Sequence, residues 1–288
     1  MYHIVADEKE MKWFFDHVIV PPRPEETYMI CLSARSKKLS EEERPKYQLG
    51  RGEMMRTELI RRKGGNWNFQ IYKQGPYKYN CDENAMLTKA GLPYPEKCLV
   101  CYAYVNPSDE LDCVHDTYQF FNSIEHELLE SYKKGSKVGV DDHLEKLPKI
   151  FEHLRSCHAT NISRRIWRDF DADVEPIEGM SKEDAKIIVY TALANTLDKF
   201  YGKGNYVIIE TSGGFHSLVK VESMHSNPND FIKEVKEQTF SHNNESLKIE
   251  SLCKEIILTK AGSQFVPLPG TLQYGSLVKV VNKLDFKD

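Results

Sequence analysis

Short β-branched runs and longer helical periods alternate along the C-terminal half of the chain. In "NYVIIETSGGFHSLVKV", residues 205–221, two apolar runs flank Ser212, Gly213 and Gly214, and His216 follows directly. This pattern predicts two strands joined by a tight turn. Because glycine permits close backbone approach and histidine offers a polar ring, the turn is a candidate functional site. An ordinary hairpin with a solvated histidine is the alternative.

The remaining pattern predicts a mixture of strands and helices. "KCLVCYAYVNP" (97–107) predicts a buried strand, after which Ser108 or Asp109 caps a helix. The apolar positions of that helix are Leu111, Val114, Tyr118, Phe121, Leu128 and Tyr132. Further helices are predicted at 144–158, from Ser181 to Gly202 and at 229–240, and further strands at 164–174, 254–260 and 264–281. This order predicts an α+β (mixed α/β) fold and not a βαβ barrel. The charged segment 39–65 has a helical appearance.

Composition limits the functional classes. The chain has 288 residues, 40% of them apolar, which is enough for a full core. A net charge of -4 gives no global basic field, so any nucleic-acid contact needs a local patch. Seven cysteines and no evident secretory leader predict a reducing compartment, the cytoplasm, or a bacterial host's cytoplasm if a phage or plasmid encodes the protein. No apolar run approaches the ~20 residues of a membrane span.

Three acids alternate along the strand predicted at 164–174. With a period of two, the side chains of Asp169, Asp171 and Asp173 point to one face of the strand. Phe170 points to the other face, toward the core. Like charges repel, so a hard cation such as Mg²⁺ or Mn²⁺ would stabilise this arrangement. The alternative is a strand end that simply enters solvent. Free backbone N–H groups of the Ser-Gly-Gly turn would make a phosphate cradle on a neighbouring strand.

Together these segments resemble the catalytic core of the archaeo-eukaryotic primases, the primase-polymerase superfamily. Asp169-Phe170-Asp171, or Asp171-Ala172-Asp173, matches its acid-apolar-acid motif, and Ser212-Gly213-Gly214-Phe215-His216 resembles its second motif. "EIILTKAGSQFVPLPGT" (255–271) has the outline of the third, with Glu255 ahead of a Pro-Gly-Thr turn. The resemblance covers roughly residues 160–282.

The resemblance implies roles for individual residues. Asp169 and Asp171 would be catalytic metal ligands for Mg²⁺ or Mn²⁺, with Asp173 and Glu255 as further candidates. His216 would contact the phosphates of the nucleotide, while Ser212, Gly213 and Gly214 shape the pocket. Pro267 stands near the position where the superfamily often has a basic residue. The candidates for the missing positive charge are Lys260, Arg164, Arg165 and Arg168.

The cysteine spacing suggests zinc only weakly. Cys98-x-x-Cys101 and Cys113-x-His115 have the form of half-sites. These cysteines belong to an apolar strand and an apolar helix face, where buried thiols act as small hydrophobes. Zinc is therefore not expected.

The resemblance implies a metal-dependent DNA primase or primase-polymerase that uses single-stranded DNA and NTPs or dNTPs. Its fold would be an RRM-like sheet in a core spanning 96–288, preceded by a charged, helical N-terminal lobe over 1–95. No G-x-x-x-x-G-K-[ST] motif occurs, so a helicase would be a separate chain. The alternatives are a metal-dependent phosphodiesterase or nuclease and a degenerate nucleic-acid-binding subunit.

Overall fold

The computed structural model describes residues 1–48, 53–60, 76–77, 79–259 and 265–285, with the backbone alone for 53–60. The strands are β1 (Glu26–Ala34), β2 (Glu53–Ile60), β3 (Leu99–Tyr104), β4 (Ser108–Asp109), β5 (Trp167–Asp173), β6 (Tyr206–Glu210), β7 (Gly214–Lys220), β8 (Thr239–His242), β9 (Glu245–Lys248), β10 (Ile256–Leu258), β11 (Phe265–Pro267), β12 (Leu272–Gln273), β13 (Ser276–Leu277) and β14 (Lys279–Val280). The helices are α1 (Glu8–His17), α2 (Glu43–Tyr47), α3 (Glu110–Lys133), α4 (Val140–Thr160), α5 (Lys182–Tyr201) and α6 (Pro228–Glu237).

Two antiparallel sheets organise the chain into an α+β fold. The first sheet has the order β13-β12-β3-β1-β2, with β11 also on β3 and β4 on β1. The second has the order β10-β5-β7-β6-β14, and β8 with β9 forms a separate hairpin. The predicted strand-turn-strand at 264–281 is divided between the sheets, because β11 to β13 join the first and β14 pairs with β6 of the second.

The second sheet buries apolar side chains on both faces. One face packs Phe170, Phe215 and Val219 against α5 and α6. The lower part of the other face contributes Trp167 and Leu218 to the core beneath the first sheet. Side chains farther along this second face line a cavity that residues of the first sheet also line. No helix in the described parts of the chain has the length and apolar content needed to cross a bilayer.

The expected division at residue 95 and the helical N-terminal lobe are both wrong. β1 and β2 precede that boundary, yet β1 pairs with β3, placing Ile30 opposite Ala103. In the charged segment 39–65, only Glu43–Tyr47 is α-helical and Glu53–Ile60 is a strand. Positions 49–52 and 61–65 lie outside the described residues. Sheet pairing overrides the local helical pattern here.

Several local predictions are confirmed. β6 and β7 form the predicted hairpin, Asp109 caps α3, and Ser181 caps α5 before Gly202 ends it. The apolar positions predicted for α3 behave differently: Leu128 is buried, whereas Leu111, Val114, Tyr118, Phe121 and Tyr132 are exposed. α3 therefore lies at the surface, where α4 covers its opposite face.

Asn106 joins the two sheets through backbone hydrogen bonds. It lies between β3 and β4, and its Oδ1 accepts from the N–H groups of Ile166 (2.7 Å) and Trp167 (2.8 Å). Its Nδ2 donates to the carbonyl of Trp167 at 3.0 Å. Since Asn106 is buried, water does not replace these bonds. This side chain therefore sets where β5 begins relative to the first sheet.

We predict that Asn106→Ala lowers the free energy of unfolding by about 2–4 kcal/mol, because three backbone groups, two of them buried, lose their partner. Chemical denaturation would measure the loss. Asn229→Ala, on the exposed first turn of α6, is the matched control and is expected within about 0.5 kcal/mol of wild type. An unchanged Asn106→Ala protein would contradict this role.

Candidate active-site cleft

The three aspartates of β5 share the face of the second sheet that opens toward the first sheet. Asp171 stands opposite His216 of β7, and Asp173 stands opposite Gly214. Asp169 is fully buried, Asp171 is partly exposed and Asp173 is exposed. All three line one cavity of about 330 Å³ together with His216. The alternation of β5 thus places a graded row of carboxylates from the core to solvent.

His216 is the cation nearest to these carboxylates among the described residues of the cleft. Its Nδ1 lies 3.0 Å from Asp169 Oδ2, and its Nε2 lies 3.7 Å from Asp171 Oδ1. Burial alone would lower the pKa of His216, but Asp169, Asp171 and Asp173 together raise it to about 9. The ring is therefore an imidazolium at neutral pH, donating to Asp169 and facing Asp171.

One oxygen of Asp169 is left without a partner. Asp169 Oδ1 is buried and makes no hydrogen bond within the described structure, whereas Oδ2 is held by His216. A buried carboxylate oxygen without a donor is costly, so this atom is available to a ligand that can replace water. Because Asp171 and Asp173 line the same cavity, a cation suits this oxygen better than a neutral hydrogen-bond donor.

The glycines of the turn are explained by close contact with β5. A Cβ on Gly214 would lie 2.0 Å from the carbonyl oxygen of Ala172, and one on Gly213 would lie 3.0 Å from Asp173 Oδ1. Side chains at these positions would push the turn away from the acidic strand. The glycines therefore hold the turn against Asp173.

The expected phosphate cradle of free backbone N–H groups is wrong. The N–H groups of Gly213 and Gly214 donate to Thr211 Oγ1, at 3.3 and 3.2 Å. Ser212 donates through both its backbone N–H and its hydroxyl to Gln273 Oε1, at 2.9 and 3.1 Å. These acceptors satisfy the turn internally and tie it to the first sheet, so phosphate recognition requires other groups.

The opposite wall of the cleft carries basic and aromatic side chains from the first sheet. Arg35 follows β1 and lies over the ring of Tyr102, with 5.5 Å from Cζ to the ring centroid. Lys38, in a 3₁₀ turn at Ser36–Lys38, lies over Tyr274 at 5.5 Å. Both aromatic rings line the cavity. Cations and carboxylates thus face one another across the cleft.

A third cation lies beside this wall. Lys182, in the first turn of α5, has its pKa lowered by burial and then by the positive charges of Lys186 and Lys38. Asp173 acts in the opposite direction. The repulsion between these lysines would be relieved by an anion in the cleft. Sequence analysis missed Arg35, Lys38 and Lys182, although "ARSKK" directly after a strand was a usable signal for the first two.

Other candidates from the sequence lie elsewhere. Glu255 is exposed just before β10 and does not line the cavity. Thr259 lines the cavity, and its backbone N–H donates to the carbonyl oxygen of Asp169 at 2.9 Å. Lys260 lies outside the described residues. Arg164 forms an ion pair with buried Glu26 at 2.6 Å, and Arg165 and Arg168 do not line the cavity. The Pro-Gly-Thr turn packs on the start of α1, where Gly270 accepts from Asp7.

The side chains of the cleft offer oxygen donors for a metal ion. Within the described residues, no three His, Cys, Asp or Glu side chains already converge in a metal-binding arrangement. The carboxylates are nevertheless the oxygen donors that Mg²⁺ and Mn²⁺ prefer, and Asp169 Oδ1 is unpartnered. The residues therefore fit a hard divalent cation. The cysteine half-sites fit zinc less well. Burial raises the pKa of Cys98 to about 11 and that of Cys113 to about 12, which disfavours the thiolate form that binds zinc.

We predict a pH-dependent stabilisation by His216 in metal-free buffer. Since the folded-state pKa is raised from 6.5 to about 9, the stabilising charge is fully present below pH 6.5 and is lost as the pH rises through 9. His216→Gln should therefore lower the unfolding free energy by about 1–3 kcal/mol at pH 6 and by less at pH 9. Urea denaturation across this range would measure it.

The matched control is His126→Gln on the exposed surface of α3, expected within about 0.5 kcal/mol of wild type at each pH. A deficit of His216→Gln that stays constant from pH 6 to 9 would show that the imidazolium is not the stabilising species.

Comparisons of the chain with protein-family models, with curated proteins and with solved structures gave no match. Its chemistry is therefore argued from the cleft itself.

Proposed function

We propose that the chain is a metal-dependent nucleotidyltransferase, a DNA primase or primase-polymerase that joins NTPs or dNTPs on a single-stranded DNA template. One observation carries the proposal: the carboxylates of β5 and His216 face Arg35 and Lys38 across one cleft. Nucleotidyl transfer needs oxygen ligands for divalent ions on one side of a triphosphate and positive charge on the other. The expected primase-polymerase core fold, with its RRM-like sheet, belongs to this proposal.

Each wall of the cleft has a distinct task in the proposed reaction. Asp169 and Asp171 would hold Mg²⁺ or Mn²⁺, with Asp173 at the solvent end of the row. A bound divalent cation supplies activation of the attacking hydroxyl and neutralisation of the triphosphate. Arg35 and Lys38 would bind phosphate oxygens, a task that the turn at Ser212 cannot perform with its N–H groups occupied.

His216 would orient the phosphates and hold a proton near them. Asp169 fixes its Nδ1 side, which directs Nε2 toward Asp171 and the cleft. A metal ion at the aspartates removes part of the negative charge that keeps the ring protonated, and a bound phosphate would restore it, so that Nε2 can donate to a phosphate oxygen. The seven cysteines form no disulfide in the described structure, which supports the proposed cytoplasmic location.

A product assay on single-stranded DNA, with and without primer, tests the proposal directly. NTPs or dNTPs would be offered with Mg²⁺ or Mn²⁺. The wild type should make new or longer strands only with metal, and Asp169→Asn/Asp171→Asn should lose at least about 100-fold in rate. Lys38→Ala should raise the KM for nucleotide about 10-fold, since one charge-assisted contact is lost. Asp230→Asn, on the exposed start of α6, should leave the rate unchanged.

The outcomes separate the candidate functions. Metal-dependent shortening of the DNA with nucleotides untouched would establish the nuclease alternative. DNA binding without any chemistry would favour the degenerate subunit. Synthesis that persists in the double aspartate variant would contradict the assignment of the cleft.

A further inference from the structure

The surface of α3 carries an apolar stripe that belongs to neither core. Six large side chains on this helix are between 38% and 76% exposed: Leu111, Val114, Tyr118, Phe121, Leu129 and Tyr132. Successive members of this set are three, four or eight residues apart. These spacings place all six on one side of the helix along its length. The buried residues of α3, Cys113, Ile124 and Leu128, lie on the side toward the protein. None of the six lines the cleft.

The stripe is large for a surface feature of a monomer. Aromatic side chains present roughly 150–250 Å² each, so these exposed fractions amount to roughly 600 Å² of apolar side-chain surface. Contiguous patches of this size mark interaction sites. A standard protein interface buries about 800 Å² on each partner, which the stripe and its rim together approach.

We propose that this stripe is the contact of a two-fold symmetric dimer, in which α3 packs antiparallel against α3 of a second copy. The pattern is self-complementary about a point between Phe121 and Asn122. Reversal about that point sets Leu111 against Tyr132 and Val114 against Leu129. Phe121 then lies next to the two-fold axis, beside its own symmetry mate and level with Asn122 of the second copy, and Tyr118 lies level with Glu125. An isologous contact requires this kind of self-matching pattern.

Charge selects the antiparallel arrangement over the parallel one. The first turn of α3 is acidic, with Glu110 and Asp112, and its last turn carries Lys133, which also pairs with Glu130 at 2.9 Å. Antiparallel packing brings the acidic end of each helix level with the basic end of the other, and it also opposes the helix dipoles favourably. Parallel packing would place like charges side by side. A second copy of the chain therefore matches the apolar residues at both ends of the stripe and brings its Lys133 level with Glu110.

The test uses Phe121 because only a two-fold contact places this residue against itself. At high protein concentration, the wild type should have a mass near twice the 33.4 kDa of the chain in sedimentation equilibrium. Phe121→Glu and Phe121→Lys should each weaken self-association at least about 100-fold, since like charges meet at the centre. An equimolar mixture of the two variants should recover the dimer.

Ile187→Glu is the matched control, since Ile187 is 63% exposed on α5, away from the stripe; it should remain dimeric. Circular dichroism would confirm that each variant is folded. A monomeric wild type would overturn the proposal and assign the stripe to a different protein partner. A dimer insensitive to Phe121→Glu, or a mixture that stays monomeric, would overturn the two-fold contact.

Discussion

A buried carboxylate requires a compensating positive charge, and in this protein Asp169 imposes that requirement. Its side chain lies at the boundary where the apolar face of the second sheet, formed by Trp167 and Leu218, gives way to the open cleft. The His216 imidazolium compensates one oxygen, and the other has no hydrogen-bond partner among the described residues. The core thus fixes the position of the charge, and the charge determines what the cleft can bind.

The two sheets contribute opposite chemistry to one cleft that both of them line. The second sheet supplies carboxylates from β5 and the glycine turn that packs closely against this strand. The first sheet supplies Arg35 and Lys38, held over the rings of Tyr102 and Tyr274. Asn106 and Gln273 connect the walls through backbone groups of β5 and of the turn. Because of these hydrogen bonds, the fold itself keeps the cations on one wall of the cleft and the acids on the other.

Local features of the site could be predicted from the sequence. The period of two in β5 places Asp169 and Asp171 on one face, and the Gly-Gly pair marks the turn of the hairpin, because both patterns depend only on neighbouring residues. Helix caps at Asp109 and Ser181 are local in the same sense.

Long-range features could not be predicted. Arg35 and Lys38 reach the cleft through pairing of β1 with β3, whose register depends on the whole sheet. The N–H groups of the turn are occupied by Thr211 and Gln273, and the latter lies 61 residues from Ser212. Glu255 matched the expected acid by spacing alone and lies outside the cavity. The single most direct measurement is therefore the titration of His216 by NMR with and without Mg²⁺. If the carboxylate row holds the cation, Mg²⁺ should lower the pKa of His216 from about 9 toward its ordinary value, and Asp171→Asn should weaken that effect. A titration that Mg²⁺ leaves unchanged would contradict the account.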